Sequence, residues 1–159
     1  MLWEMLKKKA DFARRSGCPL NASVEILGDR WSLLIVRDMM LRGFRTFKEF
    51  LGSYERIATN ILTDRLRKLE EHGIIRAHSD PADGRRLIYR LTEKGIDLAP
   101  VLTEMVLWAA AHEETENEAL VKTMQTNRAG FLAGIRKRWE EENDAMAGGK
   151  SGKNLRVAS

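Results

Sequence analysis

The chain has 159 residues, 43% apolar and 31% charged, with a formal net charge of +4; this is the composition of one globular domain with appendages, able but not obliged to meet a polyanion. No run of about 18 apolar residues is present to span a membrane, and the bases Lys7-Lys8-Lys9 precede no apolar stretch, so neither a membrane segment nor a signal peptide is expected. The single cysteine, Cys18, excludes an intrachain disulfide and fits a reducing cytoplasm, and the histidines at 72, 78 and 112 form no Cys/His cluster of metal-ligand spacing.

Residues 2–15 read as a helix with Leu2, Met5, Leu6 and Ala13 on one side and Trp3 and Phe12 beside them. A terminal helix this apolar needs a surface to cover, and a second subunit is the favoured one, met through Leu2, Trp3 and Leu6. The other reading is a basic arm on DNA, using Lys7, Lys8, Lys9, Arg14 and Arg15. Ser16-Gly17 breaks this segment, and Cys18-Pro19 opens a second helix whose apolar content is Ala22, Val24, Ile26 and Leu27. A thiol at a helix N-terminus can be acidified by the exposed N–H groups, which makes Cys18 a candidate redox-sensing residue; a small buried hydrophobe is the competing reading.

Asp29 can cap a third helix over 30–41, with Trp31, Leu34, Ile35 and Met39 on its core face and Val36 and Met40 widening it. Gly43 stops it. Thr46 and Glu49 then have the spacing of a capping box, opening a short helix with Phe47, Phe50 and Leu51 inside. After the Gly52-Ser53 turn, a longer helix runs from about Ile57 to His72 and ends at Gly73. The unit from Thr46 to His72 is a helix-turn-helix.

The longer helix has Ala58, Leu62, Leu66 and Leu69 on one face. Thr59, Asn60, Thr63, Asp64 and Arg67 lie away from that face. Amides, hydroxyls and guanidinium there suit hydrogen bonding to base edges, so these five are the candidate base readers. Arg45, Thr46, Lys48, Arg56 and Lys68 surround them as candidate phosphate contacts. Two strands follow, 74–79 and 86–91, joined through Asp83-Gly84, a hairpin-turn signal. The turn carries Arg85 and Arg86, candidates for backbone or minor-groove contact. Residues 56–90 hold eight Lys/Arg against five Asp/Glu. A reading helix followed by a basic hairpin is a winged helix. A mixed domain with an incidentally basic surface is the bland alternative.

Beyond the hairpin, Thr92 can cap a long helix starting at Glu93, which Pro100 should kink or divide. Its stripe of Leu98, Val101, Leu102, Met105, Trp108 and Ala109 exceeds the needs of a small core; Val101, Leu102, Met105 and Trp108 are therefore expected at a dimer interface, with core backing as the alternative. Residues 113–118 read as a break, and Glu118 to Met146 as one further helical stretch carrying Leu120, Val121, Met124, Phe131, Leu132, Ile135 and Trp139. Residues 148–159 read as a disordered tail. The organisation is thus a dimerisation helix over 1–16, a winged helix-turn-helix domain with its dimer helix over 17–112, a helical extension over 113–147 and the tail. The fold class is mainly α with a small β-hairpin wing (α+β).

No Ser/His/Asp set and no Gly-rich phosphate loop stands out, so an enzyme is not expected and no cofactor is implied. His72 reads as a helix C-terminal partner. Double-stranded DNA and a second copy of the chain are the expected partners. A winged helix used only for protein contacts is the runner-up, marked by an acidic or apolar reading face rather than Asn60, Thr63 and Arg67. Trp31, Trp108 and the methionines are either core or the lining of an effector pocket between the domain and the dimer helices.

Several stretches together resemble one family, the HxlR-type winged-helix transcriptional regulators of bacteria, related to the MarR group. They are Cys18-Pro19, the run Leu27 to Ile35, Arg45-Thr46-Phe47 with Glu49-Phe50, Ile57 to Leu66 with Leu69-Glu70, Tyr89 with Leu91-Thr92 and Gly95, Pro100-Val101-Leu102, and Trp108. The resemblance covers about residues 18–112. It implies a homodimer joined through terminal helices and one reading helix per subunit. It also implies repression or activation at a palindromic operator, in the cytoplasm at the nucleoid. Some members sense oxidants or electrophiles through a cysteine near the N-terminus, for which Cys18 is the one candidate here. Residues 113–159 extend beyond the family core.

Overall fold

The computed structural model describes residues 16–151, so the segment with Leu2, Trp3 and Leu6, and the arm alternative with it, lies outside the described residues. In chain order the elements are α1 Pro19–Leu27, α2 Ser32–Leu41, α3 Phe47–Leu51, α4 Thr59–Glu71, β1 Ile75–Ser79, β2 Leu87–Leu91, α5 Glu93–Ile96, α6 Ala99–His112, α7 Glu118–Thr126 and α8 Arg128–Ser151.

The local signals act through visible hydrogen bonds. The Asp29 carboxylate accepts from the N–H of Trp31 at 2.8 Å and of Ser32 at 2.9 Å, and α2 begins at Ser32 rather than Arg30. Thr46 and Glu49 form the reciprocal capping box that starts α3. Gly73 follows α4 at φ 69°, a left-handed turn that a side chain would strain.

The core gathers one face of each element. Ile35, Val36 and Met39 of α2, Phe50 of α3, and Leu62, Leu66 and Leu69 of α4 are buried together with Ile75 and Leu91 of the hairpin. The strands are antiparallel, with Ala77 opposite Tyr89 and Ile75 opposite Leu91 on one face, and Arg76 opposite Arg90 and His78 opposite Ile88 on the other. Tyr89 meets Phe50 edge-on at 6.2 Å, and its N–H donates to the Arg45 carbonyl at 2.7 Å, tying the hairpin to the start of α3.

α1 buries none of its residues, and Val24 is exposed. Two expectations change. The stretch from Glu118 is two helices, because Asn127 leaves helical geometry and its side chain accepts from the Gly130 N–H at 3.0 Å, capping α8. α8 also runs on to Ser151, past the start of the expected tail at Gly148.

The extension folds back onto the rest. Met124 and Ile135 are buried, and Phe131, Leu132 and Trp139 pack on the core cluster. The Trp139 indole N–H donates to the Leu91 carbonyl at 2.9 Å, which anchors α8 at the root of the hairpin.

Candidate nucleic-acid interface

α4 turns its leucines inward and its polar residues outward. Thr59, Asn60, Thr63 and Arg67 are exposed, opposite the buried Leu62, Leu66 and Leu69. Thr63 donates its hydroxyl proton to the Thr59 carbonyl at 2.9 Å, leaving its oxygen lone pairs outward. The N-cap is Ala58, which offers no side-chain acceptor to the first-turn N–H groups. That end of the helix therefore favours an approaching anion.

Asp64 is not a free acceptor. Its carboxylate lies 2.9 Å from Arg67, 2.7 Å from Arg65 and 3.2 Å from Lys68, and these cations, Arg67 first, hold its carboxyl below the ordinary range. Arg67 is also 2.5 Å from Glu71, so both neighbouring acids grip its guanidinium. These pairs are solvent-exposed, where screening by water leaves an ion pair weak. A bidentate guanine contact discriminates by about 1–3 kcal/mol, so Arg67 can exchange its acids for a base. Arg65 also reaches Asp29 at 3.2 Å and ties α4 to the cap of α2.

The turn before α4 is held from beneath by a polar cluster absent from the sequence analysis. Asp38 is buried on α2; it accepts from Ser53 Oγ at 2.6 Å and from Arg37 at 2.7 Å. Arg37 forks onto Glu55 with contacts of 2.7 and 2.9 Å. The Arg37 hydrogen bonds bring the Glu55 carboxyl down to about 2. On this platform sit Tyr54, 88% exposed, and Arg56, exposed at φ 54°. A large aromatic ring displayed on a fixed turn is a contact candidate in its own right; its lack of periodicity hid it from sequence reasoning.

The remaining candidates divide. Lys48 is exposed on α3, and Lys68 is partly exposed beside Asp64. The Thr46 hydroxyl is engaged in its cap. Arg45 faces inward: its guanidinium donates to the carbonyls of Met39 at 2.8 Å and Phe44 at 2.7 Å and pairs with Glu142 of α8 at 2.6 Å. It clamps three segments and is not presented to a phosphate. At the hairpin tip Arg85 is 96% exposed. Arg86 instead closes the turn through the Asp80 carboxylate, which the Ala82 N–H and then Arg86 hold below its ordinary range.

Val101, Met105 and Trp108 are exposed on α6, spaced to share one face, while Leu102 packs against the chain's own core. Leu20 and Val24 add exposed apolar surface on α1, which residue spacing alone does not mark as an interface. Cys18 is exposed at the start of α1, not a buried hydrophobe. A mainly apolar cavity of about 240 Å³ lies among α2, α6, α7 and α8 and includes Met40, Met105 and Met124 in its wall. Neither Trp31 nor Trp108 lines it. Among the described residues no group of His, Cys, Asp or Glu is placed to hold a metal, and no helix is long and apolar enough to cross a membrane.

Helix-turn-helix, exposed polar helix face and arginine-tipped hairpin together define a winged helix-turn-helix, a DNA-binding class. Residues 26–117 match the HxlR-like helix-turn-helix family, and the chain belongs to it. The HTH-type transcriptional regulator YodB of Bacillus subtilis is 36% identical over 93 residues, covering 58% of this chain and 82% of that protein. An uncharacterized HTH-type transcriptional regulator of Synechocystis, sll1512, is 36% identical over 103 residues, covering 64% and 76%. Among solved structures, reduced YodB aligns with a TM-score of 0.52 at 34% identity, over 64% of this chain and all of that one. The redox regulator HypR in its oxidized form aligns with a TM-score of 0.54 at 27% identity, over 62% and 100%. The relatives are transcriptional regulators, not enzymes.

Proposed function

We propose that this protein is a sequence-specific transcriptional regulator that binds a palindromic operator as a homodimer, in the cytoplasm at the nucleoid. The observation that carries the reading is the outward face of α4, where Thr59, Asn60, Thr63 and Arg67 stand opposite buried leucines. α4 reads bases in the major groove. Lys48, Arg56 and the first-turn N–H groups of α4 hold phosphates, and Arg85 reaches the neighbouring backbone or minor groove. Two copies would set their reading helices about one DNA turn apart, roughly 34 Å or a small multiple.

The test is anisotropy titration of the full chain against DNA upstream of its own coding sequence, with random duplex as competitor, followed by footprinting. A palindromic footprint that survives a large excess of random DNA is expected. Equal affinity for random and upstream DNA would remove the specificity claim, and no binding to either would leave the fold serving protein contacts.

Redox control by Cys18 is the second part of the proposal. It rests on the exposure of that thiol and on the redox regulator among the structural relatives. Diamide should weaken operator binding by the parent protein, and Cys18→Ser should bind normally and ignore diamide. A Cys18→Ser protein that responds like its parent removes Cys18 from the proposal.

A further inference from the structure

On the outer face of the hairpin, Arg76 of β1 stands directly opposite Arg90 of β2. Like charges paired across strands are destabilising unless something compensates them. Arg76 is exposed and makes no ion pair with any acid among the described residues. Arg90 is only partly served. Glu142 lies 3.5 Å away and gives its close contact, 2.6 Å, to Arg45 instead. The Arg90 Nε is buried without a hydrogen-bond partner. Burial first, and then the neighbouring Arg45, push its guanidinium below its ordinary range.

These arginines face a cavity. α8 crosses this side of the hairpin, and between them lies a cleft of about 430 Å³, a size suited to a small molecule. Arg76, His78 and Arg90 form one wall, and Trp139, Asn143 and Met146 the other. Trp139 is fixed in place by its bond to the Leu91 carbonyl and by Arg136 against its ring at 5.6 Å. The acid in the lining is Glu93. Arg45, Arg76 and Arg90 against Glu93 and Glu142 leave one positive charge in excess.

We propose that this cleft binds a small organic monoanion, a carboxylate on an apolar or aromatic body. The carboxylate sits on Arg76 and Arg90, and the body lies against Trp139, Leu91 and Met146. A nucleic-acid backbone fits less well, because the turns of α8 that supply Trp139 and Asn143 also carry Glu140, Glu141, Glu142 and Asp144. The far wall comes from residues beyond the 26–117 family match, so the cleft is closed by this chain's extension over arginines that lie within the matched core. The site stands without the DNA-binding reading; only an effect of the ligand on DNA affinity rests on it.

The full chain would be titrated with benzoate, phenylacetate and hexanoate, with benzamide as the uncharged counterpart of benzoate and inorganic phosphate as the body-free anion. The Trp139 indole N–H resonance is the readout. At least one carboxylate should shift it saturably, with benzamide and phosphate much weaker. Arg76→Gln, at an exposed side chain, should weaken binding about tenfold, the loss expected for one charge-assisted contact. Ala147→Trp, filling the cleft from the exposed rim of α8, should abolish it. No saturable shift with any of the three carboxylates overturns the proposal. So does equal binding of benzamide or phosphate, or binding untouched by both variants. If random duplex DNA shifts the same resonance and Arg76→Gln lowers DNA affinity, the cleft is a phosphate contact and the proposal falls.

Discussion

At Glu55 one carboxylate fixes the turn that leads into α4. Its pKa is depressed from 4.5 to about 2, chiefly by the Arg37 fork. A depressed folded-state pKa means stability that is fully present above about 4.5 and lost as pH falls through about 2. Glu55→Gln should therefore cost about 1 kcal/mol in urea melts at pH 7 and progressively less as pH falls toward 2. A cost that does not change with pH would remove the ion pair as its cause. Arg67 and Arg85 should fail differently. Arg67→Ala should lose about 1–3 kcal/mol of discrimination at particular operator positions. Arg85→Ala should weaken binding to all sequences and flatten the salt dependence by about one phosphate. Titrations at several salt concentrations with operator variants decide it, and specificity lost at defined base pairs in Arg85→Ala would reverse the two roles. Sequence periodicity alone sorted Asn60, Thr63 and Arg67 from the leucines, because a helix maps spacing onto faces. It could not place Arg45, whose partner Glu142 is 97 residues away, nor the burial of Asp38, whose partner Ser53 lies 15 residues on, beyond α3.

The junction of hairpin and α5 shows why an element needs one residue type. The Thr92 hydroxyl donates to the Gly73 carbonyl at 2.5 Å, and its oxygen accepts from the Gly95 N–H at 3.1 Å. α5 is thereby drawn so close to the chain before β1 that a Cβ on Gly95 would sit 2.1 Å from the Ile74 carbonyl oxygen. Neither backbone can yield without breaking the Thr92 contacts. Gly95→Ala should cost about 1–3 kcal/mol in thermal or urea unfolding, although alanine is the better helix former. Unchanged stability would mean that α5 and the Ile74 carbonyl can separate freely and that Thr92 does not hold them together. The element boundaries set by caps and breakers were legible in sequence: Thr46-x-x-Glu49, Gly73, Thr92 and the division at Pro100 all act locally. The break at Asn127 was not, because an apolar pattern continues on both sides and only the Asn127 side-chain cap marks it.

For the molecule as a whole, the sequence identified apolar content but not which of it turns inward. On α6, Leu102 and Met105 carry the same pattern, yet Leu102 packs on the core and Met105 does not. That distinction depends on α7 and α8 folding back over α2 and α6, a packing no local spacing encodes. What stays uncovered is a stripe of Val101, Met105 and Trp108, with Trp108 63% exposed, and Leu20 and Val24 on α1. Scattered apolar residues need no explanation, but a stripe at helical spacing on a regulator proposed to work as a pair does. If a second copy covers it, charge there should separate the copies without unfolding either. Met105→Glu with Trp108→Glu is therefore expected to give a monomer that still unfolds cooperatively and binds operator far more weakly. Leu102→Glu should instead destabilise the subunit itself, by burying a charge against the core. Light scattering of the purified proteins separates these outcomes. A double variant that remains dimeric would move the interface off this stripe, and a Leu102→Glu protein that is a stable monomer would show that Leu102 faces the partner after all.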